Sequence, residues 1–288
     1  HIKGVFFMLL ASLFFAVNDA LVKVAVKNLE NDYSLFNVVF VRAIFTSLLI
    51  IISIFFFGKF NIKKIFSDKR SYIRGTFEVF AALTFLTAFM LMPMGDVYTL
   101  LNTMPLIITL AGAVIFKEKV GIRRWSAVFI GFIGVIIVIN PINLQFGYIF
   151  ILPILSAIFL TLRDVITKGY KDTSNSLEVI FITSLLVAIF FGILTIFFPI
   201  DINLESIIYI ILASLALFLA YLFSVFTVVY APLSLTSSTR YSVIVFGIIL
   251  GFIFFNEIPS LNMVIGAIII STSGLFVINR QKKLGKIE

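Results

Sequence analysis

Ten apolar runs follow one another along the chain, separated by short polar or proline-containing breaks. Each run is close to or above the roughly 20 residues that a helix needs to cross the hydrocarbon core of a bilayer. The runs are continuously apolar, whereas strands of a membrane barrel are short and alternate polar with apolar positions. The pattern predicts ten membrane-spanning helices, at residues 4–26, 34–57, 72–91, 96–116, 123–140, 147–167, 176–198, 205–230, 234–255 and 260–279.

Composition narrows the class of protein further. Of the 288 residues, 61% are hydrophobic and only 12% are charged, about half the charged fraction of an ordinary soluble domain. The chain has no cysteine, and its single histidine is His1. Disulfides, thiolate chemistry and histidine-based metal sites are therefore excluded, and we predict neither a metal nor a cofactor. The composition favours a polytopic all-α membrane protein that is not an enzyme.

The basic residues predict the orientation of the helices. If the N-terminus is cytoplasmic, 17 of the 22 lysines and arginines fall on the cytoplasmic side, and only Lys27 falls on the other. Cytoplasmic loops of membrane proteins carry such an excess. We therefore expect both termini to be cytoplasmic, in an inner or plasma membrane. The net charge of +8 is interpreted as contact with lipid phosphates of the bilayer and not with nucleic acid.

The second half of the sequence repeats features of the first. Residues 92–140 align without gaps on residues 231–279. The matches include Pro93 with Pro232, Gly112 with Gly251, Phe116 with Phe255 and Glu118 with Glu257, and an Asp-x-x-x-Lys pattern recurs at Asp19 and Asp164. We predict two five-helix repeats, residues 1–141 and 142–288. Because five is odd, the repeats have opposite orientations, an architecture typical of secondary transporters with a site near the midplane.

Two segments carry a family resemblance. The first runs from Phe116 to Gly121 and continues through Arg124-Trp125 and Gly131-Phe132-Ile133-Gly134; the second runs from Phe255 to Pro259. They resemble the two copies of the signature of the EamA family in the drug/metabolite transporter superfamily. Membership implies ten helices, a central cavity, and transport of solutes such as amino acids, nucleotide sugars, riboflavin-like cofactors or S-adenosylmethionine. The glutamates of the signature, Glu118 and Glu257, are interpreted as helix-end residues.

Charged residues inside the predicted spans are the first candidates for function, because each costs about 2.5–3.5 kcal/mol near a helix centre. Counting about 1.5 Å per residue from the span ends gives Asp19 and Arg42 similar depths, so we expect an outer pair. A second group is expected toward the cytoplasm. The two groups act either as gates, with a carboxylate able to carry a coupling proton, or as static pairs between helices. The inner group consists of Glu78, Arg163, Asp164, Arg240 and Tyr221.

A substrate site is predicted between the two groups. Tyr98 and Asn102 are four residues apart and share a helix face, and the repeat aligns Asn102 with Tyr241, next to Arg240. An arginine can hold a carboxylate or phosphate through two hydrogen bonds, and aromatic rings suit a planar or apolar group. The expected substrate is a small organic metabolite with an anionic group. The predicted lining is Thr84, Phe85, Tyr98, Asn102, Arg240 and Tyr241.

These observations favour a secondary active transporter driven by an exchanged solute or a coupling proton. The sequence contains no phosphate-binding loop of the Walker type. The alternatives are an integral membrane enzyme that modifies lipids and a passive channel. The separation of the polar residues into clusters favours gates over a continuous polar channel.

Overall fold

The structure is a computed structural model, and it describes residues 2–29, 33–57, 66–114, 117, 121–140, 147–167, 176–198, 200–230 and 239–283. Within these ranges the chain forms eleven helices and no strand. The helices are α1 (Ile2–Lys27), α2 (Ser34–Phe57), α3 (Lys69–Leu91), α4 (Met94–Leu101), α5 (Met104–Val114), α6 (Ile122–Ile139), α7 (Ile151–Thr167), α8 (Ser176–Phe197), α9 (Leu204–Tyr230), α10 (Ser242–Phe255) and α11 (Leu261–Lys283).

The lengths and side chains of these helices are those of an integral membrane protein. Eight helical segments of the described chain are long and apolar enough to cross a bilayer, and one of them combines α4 with most of α5. The apolar helix α10 is shorter, with 14 residues, and α7 has 17. Large apolar side chains such as Phe56, Phe129 and Ile196 are exposed on the outside of the bundle, where lipid rather than water would accommodate them.

The predicted fourth span is two helices instead of one. Pro105 has no backbone N–H and cannot donate to the carbonyl of Leu101 four residues earlier, so the helix breaks between α4 and α5. Asn102 closes α4 with a hydrogen bond from its backbone N–H to Tyr98 O at 3.0 Å, and Thr103 N–H turns to Leu100 O at 3.2 Å. In α7, by contrast, Pro153 lies in the first turn, where no backbone donor is needed.

Local backbone geometry repeats between the two halves. Lys117 and Asn256 occupy aligned positions, and both have left-handed backbones, with φ of 50° and 53°. Asn256 ends α10 through a hydrogen bond from its backbone N–H to Phe252 O at 3.0 Å. A left-handed residue at this place stops a helix and lets the chain reverse. Each aligned reversal immediately precedes one of the signature glutamates, Glu118 or Glu257.

The main helix contacts keep their pattern when the halves are exchanged. Helix α1 packs chiefly on α9 and also on α10, while its counterpart α7 packs chiefly on α3 and also on α4. Contacts of α2 with α8 and of α6 with α11 join counterparts directly. Each of these pairs links the first half to the second. The α6–α11 contact is close because Gly266 faces the backbone of Gly134, whose carbonyl oxygen would be 2.8 Å from an added Cβ.

Candidate functional site

Asp19, on α1, is the centre of a buried polar cluster. Its carboxylate accepts hydrogen bonds from the Tyr98 hydroxyl at 2.5 Å and from the Asn18 side-chain amide at 2.7 Å. Arg42, on α2, donates to the oxygen of that same amide at 3.2 Å. Asp19 and Arg42 therefore lie close together, as their depths suggested, but Asn18 stands between them and links the two charges. The cluster joins α1, α2 and α4.

An aromatic wall extends from this cluster. The ring of Tyr98 lies 5.8 Å from Phe85 and 5.6 Å from Phe89, measured between centroids. Its other side packs on Gly247 of α10, where an added Cβ would collide with the ring. Aromatic rings at such separations attract one another through their edges and faces. Tyr98 and Phe85, both predicted as lining residues, thus lie together beside Asp19.

The side chains of three other predicted lining residues make no hydrogen bond to those of the Asp19 cluster in the described part of the chain. The Thr84 hydroxyl donates to its own helix, at 2.9 Å from Phe80 O, and the Asn102 side-chain amide donates to Tyr98 O at 2.8 Å. Tyr241 is buried, and its hydroxyl has no hydrogen-bond partner among the described residues. Asn102 and Tyr241 nevertheless share one feature: each lies at the end of a helix, Asn102 after α4 and Tyr241 before α10.

Arg163, on α7, holds two carboxylates at once. One guanidinium nitrogen lies 2.7 Å from Glu78 Oε2 of α3, and two others lie 2.9 and 2.7 Å from Asp164 Oδ1. The adjacent residues Arg163 and Asp164 therefore bond to each other. Tyr221 packs edge-on against Phe15 with centroids 5.7 Å apart. This cluster ties α3 to α7, across the two halves of the chain.

Arg240 is the loosest member of the same cluster. Its guanidinium lies 3.9 Å from Asp164 Oδ2, and its side chain is 50% exposed. Arg74, one turn before Glu78 on α3, donates to Thr183 Oγ1 at 2.6 Å. Three arginines thus accompany two carboxylates, and the excess positive charge includes the exposed Arg240. That arrangement suits an incoming anion. No group of three metal-ligating side chains occurs in the part of the chain that the structure describes.

A third charged pair was not predicted from the sequence. Lys23 Nζ of α1 lies 2.8 Å from Glu257 Oε1, which is 234 positions later and follows α10. The ammonium also donates to Met92 O at 3.0 Å, and Glu257 Oε2 accepts from Met94 N–H at 2.7 Å. The repeat offered a signal for this pair, because Lys23 corresponds to Lys168 and Glu257 to Glu118 in the other half. Lys168 and Glu118 themselves lie outside the described residues.

The chain resembles known transporters in sequence and a solved structure in fold. The sequence profile of the EamA-like transporter family matches residues 2–140 and again residues 145–280. An S-adenosylmethionine uptake transporter of Rickettsia prowazekii is 25% identical over 285 residues, covering 98% of this chain and 95% of that protein. A riboflavin transporter of Vibrio cholerae is 34% identical over 76 residues, covering 26% of each chain. A solved crystal structure with 13% identity superposes with a TM-score of 0.65 over 96% of this chain and 97% of the other, which shows the shared fold.

Proposed function

The chain belongs to the EamA-like transporter family, and we propose that it is a secondary active transporter that moves a small organic metabolite by alternating access. In this proposal ten helices cross an inner or plasma membrane with both termini cytoplasmic, in two inverted repeats, residues 1–141 and 142–288. The main helix contacts, which are kept when the halves are exchanged, support the inverted arrangement. Inverted repeats let one site face either side of the membrane in turn.

The main support for this proposal is that helices end or begin at positions that the repeat aligns with each other, Asn102 and Tyr241. Helix α4 stops at Asn102, and α10 starts after Arg240 and Tyr241. In transporters with inverted repeats, interrupted helices at corresponding positions of the two halves surround the substrate and coupling-ion sites. The proposed site therefore lies between these helix ends, with the aromatic wall of Tyr98 and Phe85 on one side.

The chemistry of the site supports an amino-acid-, nucleotide- or cofactor-like substrate. Arg240 offers an exposed guanidinium to a carboxylate or phosphate, and Phe85 and Tyr98 offer ring surfaces to a planar group. S-adenosylmethionine has a carboxylate and a planar adenine, and it is the solute named for the relatives that span the whole chain. We propose it as the first solute to test, with riboflavin, named for shorter matches, as the second.

Separated clusters favour a gated transporter over a passive channel. On α3, Glu78 of the cytoplasmic cluster and Phe85 of the aromatic wall are seven positions apart, about 10 Å along the helix. The aromatic wall thus lies beside the Asp19 cluster, at a different depth along α3 from the Arg163 cluster. In this proposal the clusters open in alternation, and an exchanged solute or a coupling proton supplies the energy. A lipid-modifying enzyme has no specific observation in its favour.

Substrate binding is expected to depend on Arg240. Binding to the native state raises the unfolding temperature in proportion to ln(1 + [L]/Kd), so we expect S-adenosylmethionine to stabilise the detergent-purified protein. Arg240→Ala should weaken that binding about 10- to 100-fold, because a charge-assisted hydrogen bond contributes about 1.5–3 kcal/mol. The exposed Arg123→Ala is the matched control and should leave binding unchanged. If S-adenosylmethionine stabilises Arg240→Ala as much as Arg123→Ala, Arg240 does not belong to the site. If no solute stabilises the folded parent protein, the proposed substrate class is contradicted.

A further inference from the structure

Three parts of the chain meet at Lys23. The C-terminal end of α1 supplies Lys23, the turn after α3 supplies Met92, the first residue of α4 is Met94, and the loop between α10 and α11 supplies Glu257. Because α1 ends and α11 begins beside this contact, the first turn of α1 and the last turn of α11 lie at the opposite end of the bundle. The contact therefore lies at the membrane side away from those two helix ends.

We propose that Lys23 and Glu257 form the gate that closes the transporter on the side of the membrane opposite its termini. The proposal rests on the proposed function, since a gate has meaning only in a protein that opens to both sides. It adds two residues to the gating groups, and neither belongs to the Asp19 or the Arg163 cluster. The gate joins the two halves directly, because Lys23 belongs to the first and Glu257 to the second.

The burial of Lys23 shows that this end of the bundle is sealed. The lysine side chain is only 3% exposed, and its ammonium lies 5.3 Å from the ring centroid of Phe89 and 5.0 Å from that of Phe255. A buried ammonium is tolerated when a carboxylate pairs with it and further polar or aromatic groups replace its water. Glu257, the Met92 carbonyl and the two rings provide that environment. Losing Glu257 leaves a buried charge unpaired, so the closed arrangement depends on the pair.

Glu257 also controls the position of α4. The residue before α4, Pro93, makes no side-chain cap, and the Glu257 carboxylate accepts the Met94 N–H instead. A carboxylate is favourable at a helix N-terminus because the helix dipole is positive there. Helix α4 carries Tyr98, which bonds to Asp19. Opening the pair would therefore release the helix that contributes Tyr98 to the aromatic wall of the proposed site.

The opposite side of the bundle holds one tight contact, Arg163–Glu78 at 2.7 Å, and one looser contact. There Arg240 and Asp164 are 3.9 Å apart, with side chains 50% and 31% exposed, whereas Lys23 and Glu257 are 2.8 Å apart. In this proposal the structure corresponds to a state in which the Lys23–Glu257 gate is closed.

Cysteine labelling tests the gate directly, because the natural chain has no cysteine. The reporter is Thr99→Cys on α4, a fully buried position whose hydroxyl has no hydrogen-bond partner among the described residues. The control reporter is Leu261→Cys, which is 74% exposed at the start of α11 and identifies the membrane face that the gate closes. A membrane-impermeant thiol reagent is applied to that face in proteoliposomes.

Breaking the pair is expected to expose the buried reporter. Lys23→Gln and Glu257→Gln should each raise the labelling rate of Thr99→Cys at least about tenfold, since an unpaired buried charge disfavours the closed state. Lys27→Gln is the matched control, because Lys27 lies 4.6 Å from the same Phe255 ring and leaves the pair intact. Lys23→Arg, which keeps the charge, should label as slowly as the parent. Leu261→Cys should label equally in all backgrounds.

The outcomes separate the gate from the transporter proposal. If both glutamine variants leave Thr99→Cys as slow as in the parent while Leu261→Cys reacts normally, the gate proposal is wrong, whatever the transport result. If both expose Thr99→Cys but the parent protein transports no solute tested, the gate stands as an opening element and the transporter proposal loses support. An equal rise with Lys27→Gln would assign the effect to local charge and overturn the specific pair.

Discussion

Arg163→Ala is expected to lower the free energy of unfolding by about 3–5 kcal/mol, the range for removing one partner of a buried ion pair. Arg163 is the shared partner of Glu78 and Asp164, with contacts of 2.7 Å to each. Its removal leaves two neighbouring carboxylates that repel each other, and it cuts the link between α3 and α7. Denaturant titration of the purified protein, followed by helical circular dichroism, would measure the loss.

A double variant separates charge from packing in that result. The double variant Glu78→Gln/Arg163→Gln removes the carboxylate of Glu78 and the guanidinium of Arg163 together. It should therefore be less destabilised than Arg163→Ala, which leaves Glu78 charged without its partner. Arg123→Ala, at an exposed position, should change stability by less than about 0.5 kcal/mol. If Arg163→Ala unfolds at the same denaturant concentration as Arg123→Ala, the cluster does not hold these helices together.

Asp19→Leu is expected to reduce solute uptake to the background of empty vesicles. Leucine removes the acceptor of the Tyr98 hydroxyl and of the Asn18 amide, and it leaves Arg42 buried without a nearby carboxylate. The aromatic wall then loses the contact that fixes Tyr98. Asp19→Asn should keep intermediate uptake, because its amide oxygen still accepts from Tyr98 while the charge is lost. Initial uptake rates in proteoliposomes measure both.

Glu205→Gln provides the control for Asp19, since Glu205 is an exposed carboxylate at the start of α9 that accepts from Asn28. It should transport at the parental rate. Uptake by Asp19→Leu equal to that of Glu205→Gln, in preparations of equal stability, would show that the Asp19 cluster is a static contact between helices.

Much of the fold could be predicted from the sequence because each membrane-spanning helix is a continuous run of apolar residues. The helix α2 begins and ends at the predicted residues, 34 and 57. The repeat was also visible in the sequence, where Pro93 aligns with Pro232 and Glu118 with Glu257. The EamA resemblance, which rested on those segments, is confirmed by the matched family. The break at Asn102 was harder, because Pro105 bends some helices and ends others.

The side-chain partners were less predictable because depth along a helix says nothing about the direction in which a residue faces. Asp19 and Arg42 were placed at the same depth, and the structure puts Asn18 between them. Glu257 was interpreted as a helix-end residue. It does follow a helix end, but its carboxylate reaches Lys23, far away in the sequence. Such a contact is set by how the two halves pack, which local patterns do not contain.

Counterflow in proteoliposomes tests whether the protein exposes one site to each side of the membrane in turn. Vesicles containing the purified protein are loaded with unlabelled S-adenosylmethionine and diluted into a trace of the labelled solute. A transporter that exposes one site to each side in turn predicts a transient accumulation of label above equilibrium, absent from empty vesicles and strongly reduced in Arg240→Ala. Label that enters only to equilibrium and at the same rate with or without preloading would contradict alternating access and indicate a passive channel. No entry of this or any other metabolite tested, in folded and correctly inserted protein, would contradict the account of the chain as a metabolite transporter.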